Sequence, residues 1–228
     1  MKKIAIIPAY NEQDSIVKTV TDLQKKAPDF DYIIINDCSK DNTMDICREH
    51  GLKVLNLPIN LGIGGAVQTG YLYAYQHNYD VAVQFDGDGQ HDAAYLEAMS
   101  EVLEKEQIDM VIGSRFITKE GFQSSGLRRV GIRYFAFLTK LLFGQEITDA
   151  TSGMRMCNRK VMELFIKDYP RDYPEPESVA RLLRHKCRIK EIPVVMHERE
   201  AGVSSISLKK SGYYMVKVSL AILIERLR

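Results

Sequence analysis

Two hydrophobic periods share the first half of this chain. The short runs Ile4–Ile7, Tyr32–Ile35, Val54–Leu57, Val81–Phe85 and Met110–Ile112 are almost continuously apolar, as expected of strands covered on both faces. Between them, apolar residues recur at helical spacing over Glu12–Lys26 (Ile16, Val17, Val20, Leu23), Asn42–His50, Gly64–Gln76 and Ala93–Lys105. Strand and helix in strict alternation predict an α/β fold with a mostly parallel central sheet flanked by helices. After Arg115 the pattern changes. Ser124–Phe143 reads as a long basic and aromatic amphipathic helix, Asn158–Phe165 and Glu177–His185 as helices, Ile189–Val195 as a strand and Ser211–Leu227 as an apolar helix. No repeat or low-complexity linker interrupts the chain, so one domain over 1–228 is expected, with amphipathic helices in its C-terminal part.

Composition adds one thing to this picture. The 228 residues are 45% hydrophobic and 27% charged with a net charge of +1, which excludes a disordered or collagen-like chain and argues against a nucleic-acid binder. The total conceals a division: residues 1–114 carry 9 basic and 18 acidic side chains, a net of −9, and residues 115–228 carry the other 22 and 12, a net of +10. Such asymmetry points to an anionic partner for the second half. Cys38, Cys47, Cys157 and Cys187 are too widely spaced for a zinc site and read as reduced thiols of a cytosolic protein. The first apolar run is too short for a signal peptide, and no stretch reaches the roughly 18–20 apolar residues of a membrane-spanning helix.

In open α/β sheets, ligands bind beyond the carboxyl ends of the strands. Four polar loops occupy those places: Pro8–Glu12, Asn36–Thr43, Asn60–Ala66 and Asp86–Asp92. In the last, Asp86 and Asp88 sit on a glycine-containing turn and offer hard oxygen ligands to Mg2+ or Mn2+, with Gln90 or His91 as a third contact. A cation there would clamp a diphosphate leaving group. Gly62, Gly64 and Gly65 allow close approach of a ligand to the backbone ahead of a helix N-terminus. Neither a GxGxxG nor a GxxxxGK[ST] pattern is present, which disfavours a dinucleotide enzyme and a P-loop NTPase.

Pro8-Ala9-Tyr10-Asn11-Glu12, Asp37-x-Ser39-x-Asp41-x-Thr43, Asn60-x-Gly62-x-Gly64-Gly65-Ala66 and Asp86-Gly87-Asp88-Gly89-Gln90-His91 together resemble the family 2 glycosyltransferases of GT-A fold. Gly113-Ser114-Arg115, Asp149-x-x-Ser152-Gly153-Met154-Arg155 and Arg199-x-x-Gly202-x-Ser204 are similar to the polyprenyl-phosphate sugar transferases of the dolichyl-phosphate mannose synthase branch. The match runs in order over nearly the whole chain. It implies that Pro8, Tyr10, Glu12 and Asp37 line a nucleotide pocket, that Asp86, Asp88 and Gln90 hold a metal–diphosphate, and that Arg115, Arg128 and Arg199 meet phosphates. Arg129 and Arg133 compete with Arg128 for that role. The chain departs from the branch at Asn36, where Asp is commoner, at Cys38 for Gly, at Met154 for Phe, and at Ser205, where a Lys often follows Ser204. No segment in it reads as the transmembrane helices that follow the catalytic domain in many relatives.

The expected reaction is inverting transfer of a sugar from a UDP- or GDP-sugar to a polyprenyl phosphate. A phosphate monoester with a second pKa of about 6 is already largely a dianion at neutral pH and needs cations rather than a base. A sugar-hydroxyl acceptor would need a carboxylate base, for which Asp149, Glu175 and Glu177 are available. A nucleotidyltransferase would place a glycine-rich, Arg-containing loop where Pro8–Glu12 stands, and the intact Asp86 and Asp88 speak against a non-catalytic relative. The apolar segments 130–143 and 211–227, edged by Arg133, Lys140 and Lys217, suit a membrane surface, with core packing or a contact between copies of the chain as the alternatives. A cytoplasmic protein, peripheral on the inner face of the membrane, is the expectation.

Overall fold

The computed structural model describes residues 1–118, 120–121, 126–197 and 208–228. Its strands are β1 (Lys3–Ala9), β2 (Phe30–Asn36), β3 (Val54–Asn56), β4 (Val81–Gln84), β5 (Met110–Ser114), β6 (Arg155–Asn158) and β7 (Ile189–Pro193). They form one sheet in the order β3-β2-β1-β4-β6-β5-β7. All pairings are parallel except those of β6, which lies antiparallel between β4 and β5. The helices are α1 (Ile16–Lys26), α2 (Thr43–Glu49), α3 (Gly62–Gln76), α4 (Leu96–Lys105), α5 (Gly126–Phe143), α6 (Arg159–Lys167), α7 (Pro174–Arg184) and α8 (Leu208–Leu227).

Side chains alternate across the pleat, so each strand feeds two cores. Ile4 and Ile6 of β1 join Ile33, Ile35, Val67, Tyr71, Phe165 and Leu182 under α3, α6 and α7. Ala5 and Ile7 join Ile34, Val20, Leu23, Leu96 and Met99 under α1 and α4. Burial on both faces is why these strands read as unbroken apolar runs. A third cluster, Phe135, Ala180, Val218 and Ile222, seats α5 and α8 on α7.

Three differences from the sequence reading bear on the site. The first is β6, which has no counterpart in that reading. It is four residues long and opens on Arg155, so it carries too little apolar signal to register, yet it is hydrogen-bonded on both sides. Second, α1 begins at Ile16 rather than Glu12, because Asn11 adopts a left-handed φ of 59° and the amides of Glu12 and Gln13 are held by Thr43 Oγ1 and Asp41 Oδ2. Third, α7 begins at Pro174, three residues before Glu177, as a proline in the first helical turn allows.

Candidate active site

The loops after β1 and β2 are laced together. Asn11 N donates to Ser39 Oγ, Lys40 N to Asn11 Oδ1, and Thr43 N to Asp41 Oδ1, at 2.8–3.0 Å. Ser39, Asp41 and Thr43 therefore build the loop. Asp37 reaches across instead: its buried Oδ1 accepts the Leu61 amide at 2.7 Å, tying the β2 end to the β3–α3 loop. Burial pushes the Asp37 carboxyl above its ordinary value, against the opposing effect of the Leu61 and Gly62 amides. Tyr10 is exposed at the mouth of this edge and Pro8 is buried in β1, with Glu12 half-buried and accepting from Ser15 Oγ at 2.8 Å. Cys38 takes a φ of 56°, a conformation in which glycine is unstrained.

The glycine loop does less for a ligand than its sequence suggests. Gly62 has a φ of 75° and open space around it, but its amide already donates to Asn60 Oδ1 at 3.1 Å. Gly64 is bare because the 170–171 turn needs the room: a Cβ there would lie 2.2 Å from the Pro170 carbonyl oxygen, and the Gly64 amide donates to Arg171 O. This corrects the expectation that Gly64 makes room for a ligand. With both amides engaged, the start of α3 is less available to a phosphate than an uncapped helix end would be.

The Asp86 loop is held from three sides. Gln84 Nε2 donates to Asp86 Oδ1 at 3.0 Å, and the Asp86 amide donates to His91 Nδ1 at 3.0 Å. That second bond assigns the imidazole proton to Nε2, which faces Asp86 Oδ2 at 3.6 Å. His91 is buried edge-on against Phe85, so it braces the loop and is not the exposed third ligand considered as an alternative to Gln90. From the third side, Gly153 presses so close that a Cβ would stand 2.6 Å from Asp86 Oδ2. Asp88 is buried and its Oδ1 accepts the Gln90 amide at 3.1 Å, while Gln90 Nε2 donates to His197 O at 3.3 Å. Among the described residues no group of three or more His, Cys, Asp or Glu forms a metal cage. Two carboxylates and an amide oxygen fit Mg2+ or Mn2+, which take few protein ligands and complete their shell with phosphate and water.

Beside this loop, where β5 ends and β6 begins, the second half contributes a buried ion pair. Arg115 Nε and Nη2 grip the two Asp149 oxygens at 2.7 Å each, and Nη2 also donates to Thr151 Oγ1 at 3.0 Å. Asp149 is fully buried. A carboxylate engaged on both oxygens by a guanidinium fork is not placed to take a proton from an acceptor, which corrects the candidacy of Asp149 as a base. Arg115 Nη1 makes no hydrogen bond among the described residues. Glu177 lies in the first turn of α7, 3.4 Å from Arg181 Nη2, and burial pushes its carboxyl up. Its neighbours are the ion pairs of Arg181 and Arg184 with Glu225 of α8. Glu175 lies in the same first turn of α7, and its backbone carbonyl accepts from Arg155 Nη1 at 2.6 Å. Arg129 and Arg133 are exposed on α5; Arg199 and the side chain of Arg128 lie outside the described residues.

Arg155 and Glu191 have partners that their sequence context does not reveal. The Arg155 guanidinium is buried and donates to Ser152 O, Ala150 O, Glu175 O and Ser178 Oγ at 2.6–2.9 Å, joining the 149–155 turn to α7. A charged residue beside Met154, Met156 and Cys157 was the available signal. Glu191, with Lys190, interrupts the apolar pattern of β7 in the same way.

Helices α5 and α8 pack side by side, with Tyr134 Oη 3.0 Å from Ser219 Oγ and Phe135 against Tyr214. Their outer faces carry exposed apolar stripes at helical spacing: Val130, Tyr134, Phe137 and Leu141 on one, Tyr213, Val216, Leu220 and Ile224 on the other. No helix among the described residues is long and apolar enough to cross a membrane.

Comparison with known proteins places this geometry among relatives. The model of the family described as "Glycosyl transferase family 2" matches residues 4–165. A UDP-N-acetylglucosamine–dolichyl-phosphate N-acetylglucosaminyltransferase of Methanococcus voltae is 32% identical over 209 residues, covering 83% of each chain. An undecaprenyl-phosphate mannosyltransferase of Micrococcus luteus is 29% identical over 96% of this chain and 93% of its own. Among solved structures, glucosyl-3-phosphoglycerate synthase from Mycobacterium tuberculosis, in complex with Mn2+, UDP-glucose and phosphoglyceric acid, superposes with a TM-score of 0.73. It is 17% identical over 99% of this chain and 79% of that one. That likeness is one of fold, and the fold is GT-A.

Proposed function

The chain belongs to glycosyl transferase family 2, and from that membership we propose that it moves a sugar from a UDP- or GDP-sugar to a polyprenyl phosphate, with inversion at the anomeric carbon. The observation that carries this reading is the contact of Gly153 with Asp86. It sets the Asp86 carboxylate against the turn whose Asp149 holds Arg115, so a carboxylate for the donor and a guanidinium for the acceptor share one sheet edge. Two relatives whose names specify dolichyl-phosphate and undecaprenyl-phosphate support the choice of acceptor.

Each residue then has a defined task. Pro8, Tyr10, Glu12 and Asp37 border the nucleotide, and Gly62 keeps the open backbone position beside them. Asp86, Asp88 and Gln90 would hold a divalent cation, Mg2+ or Mn2+, which when bound neutralises charge on the diphosphate leaving group. Arg115 presents Nη1 to the acceptor phosphate, while Asp149 fixes the plane of the fork so that little orientation is lost on binding. Arg128 and Arg199 supply further cations for the same phosphates. The acceptor dianion brings its own nucleophilic oxygen, so no base is required. Of the candidate bases for a sugar-hydroxyl acceptor, Asp149 is engaged by Arg115 and Glu177 by Arg181, which leaves Glu175 for that second reading.

The substrate's lipid chain has an adjacent apolar surface in α5 and α8. Their stripes are bordered by Arg129, Arg133, Lys140 and Lys217, the arrangement of helices seated in a headgroup layer. The chain acts as one domain, peripheral on the cytoplasmic face of a membrane. A panel of UDP- and GDP-sugars offered with a short polyprenyl phosphate, followed by mass analysis of the lipid, tests the reaction. A glycosyl phosphate lipid is expected; donor hydrolysis alone with every pair would overturn it.

A further inference from the structure

Glu191 lies in β7 opposite Ile112 of β5, one strand away from the proposed phosphate site. Three donors converge on its carboxylate. Oε2 accepts the Thr148 amide at 2.7 Å, and Oε1 accepts the Asp149 amide at 2.8 Å and Thr148 Oγ1 at 3.0 Å. Because Thr148 Oγ1 donates to Glu191, it accepts from Ser114 Oγ at 2.8 Å, and Ser114 Oγ in turn accepts the Phe116 amide at 3.3 Å. Two routes therefore run from Glu191 to Arg115. One passes through the Asp149 backbone to the carboxylate that grips the guanidinium, and the other through Thr148 and Ser114 to the chain on either side of Arg115.

We propose that Glu191 is a positioning residue that fixes the Arg115 guanidinium for an incoming phosphate monoester. The inference rests on the reading that Arg115 meets the acceptor phosphate. A carboxylate is needed because all three groups facing it are donors. A glutamine would turn its NH2 toward at least one of them, leaving donor against donor. Burial of a charge that serves only to cap a turn is costly, whereas a fixed fork gains from every bond that holds it still.

The test is calorimetric binding of geranyl phosphate, and separately of UDP and GDP with Mn2+, to the full chain and to Glu191→Gln, Thr148→Val and Arg115→Ala. Glu191→Gln should weaken geranyl phosphate about 10-fold or more while leaving nucleotide binding within about twofold. Thr148→Val keeps both amide bonds and severs only the Ser114 route, so it should show a smaller loss of the same selectivity, and it serves if Glu191→Gln does not fold. Equal weakening of phosphate and nucleotide would make Glu191 merely structural and overturn the proposal. Unchanged geranyl phosphate binding in Glu191→Gln and Thr148→Val, with loss in Arg115→Ala, would overturn it while sparing the reading of Arg115. Normal binding in Arg115→Ala would overturn that reading and the proposal with it.

Discussion

Replacing Gly153 by alanine adds one carbon between the two halves of the proposed site. Gly153 has an ordinary negative-φ backbone, so space rather than strain decides the outcome. The new Cβ would stand 2.6 Å from Asp86 Oδ2, 3.3 Å from Asp86 Cγ and 3.3 Å from Gln84 Nε2, where ordinary contact begins at 3.4 Å. Relief therefore asks for a displacement of roughly 0.8 Å, shared between the 152–154 turn and the Asp86 carboxylate. The turn is poorly able to yield, because Arg155 pins Ser152 O and Ala150 O at 2.6 Å each. Most of the shift falls on Asp86, which must then loosen its bond from Gln84. A misplacement approaching 1 Å at a reacting group costs on the order of 10- to 100-fold in rate, whereas a tolerated overpacking costs about 1–3 kcal/mol in stability. The expected result is a folded protein with a transfer rate reduced by that factor and a raised Mn2+ requirement. Sugar transfer titrated with Mn2+, beside a thermal melt, measures both. Wild-type rate and Mn2+ dependence in a folded Gly153→Ala protein would refute the placement of Asp86 in the reaction.

Asp149→Asn removes the partner of a buried guanidinium and should cost about 3–5 kcal/mol in urea unfolding; an unchanged midpoint would show that Asp149 is not the anchor of Arg115. Glu225→Ala removes the buried carboxylate shared by Arg181 and Arg184 but leaves Arg181 paired with Asp168 and Glu177, so it should lower stability by less, about 1.5–3 kcal/mol. The double substitution Phe137→Glu and Leu141→Glu, on exposed positions of α5, should abolish flotation with anionic liposomes while leaving the thermal midpoint within a degree or two, about the scatter of surface changes. Burial pushes the Glu191 carboxyl above its ordinary 4.5, so the folded state holds that proton more tightly than the unfolded chain. The associated stability is complete below pH 4.5 and lost as pH rises through the folded value. Glu191→Gln should therefore flatten the decline in urea midpoint above that pH.

The order of strands and helices was legible because each buried strand is an apolar run and each covering helix has an apolar face. The Asp86 loop was legible because two carboxylates and two glycines at a strand end have few other uses. Less legible were the partners of the charged residues. Asp149 reads as a base until Arg115, 34 positions away, is seen on both of its oxygens. Gly64 looks like a ligand contact until the Pro170 carbonyl is found in its place. Arg155 hides β6 because a charged residue opening a four-residue run resembles a loop, and only the four oxygens that surround it make its burial stable.

The chain by itself therefore determined the alternation that builds the sheet, the edge on which polar loops gather, the family, and the division into an acidic and a basic half. These are properties of local composition and spacing, carried by neighbours in sequence. Tertiary structure decided which charge meets which, since ion pairs, close glycine contacts and antiparallel insertions join residues tens of positions apart. The basic half is not a uniform field facing a phosphate: Arg155 is held by carbonyls and Arg181 by Glu225. The charge left to face the acceptor is what remains after folding has engaged the rest.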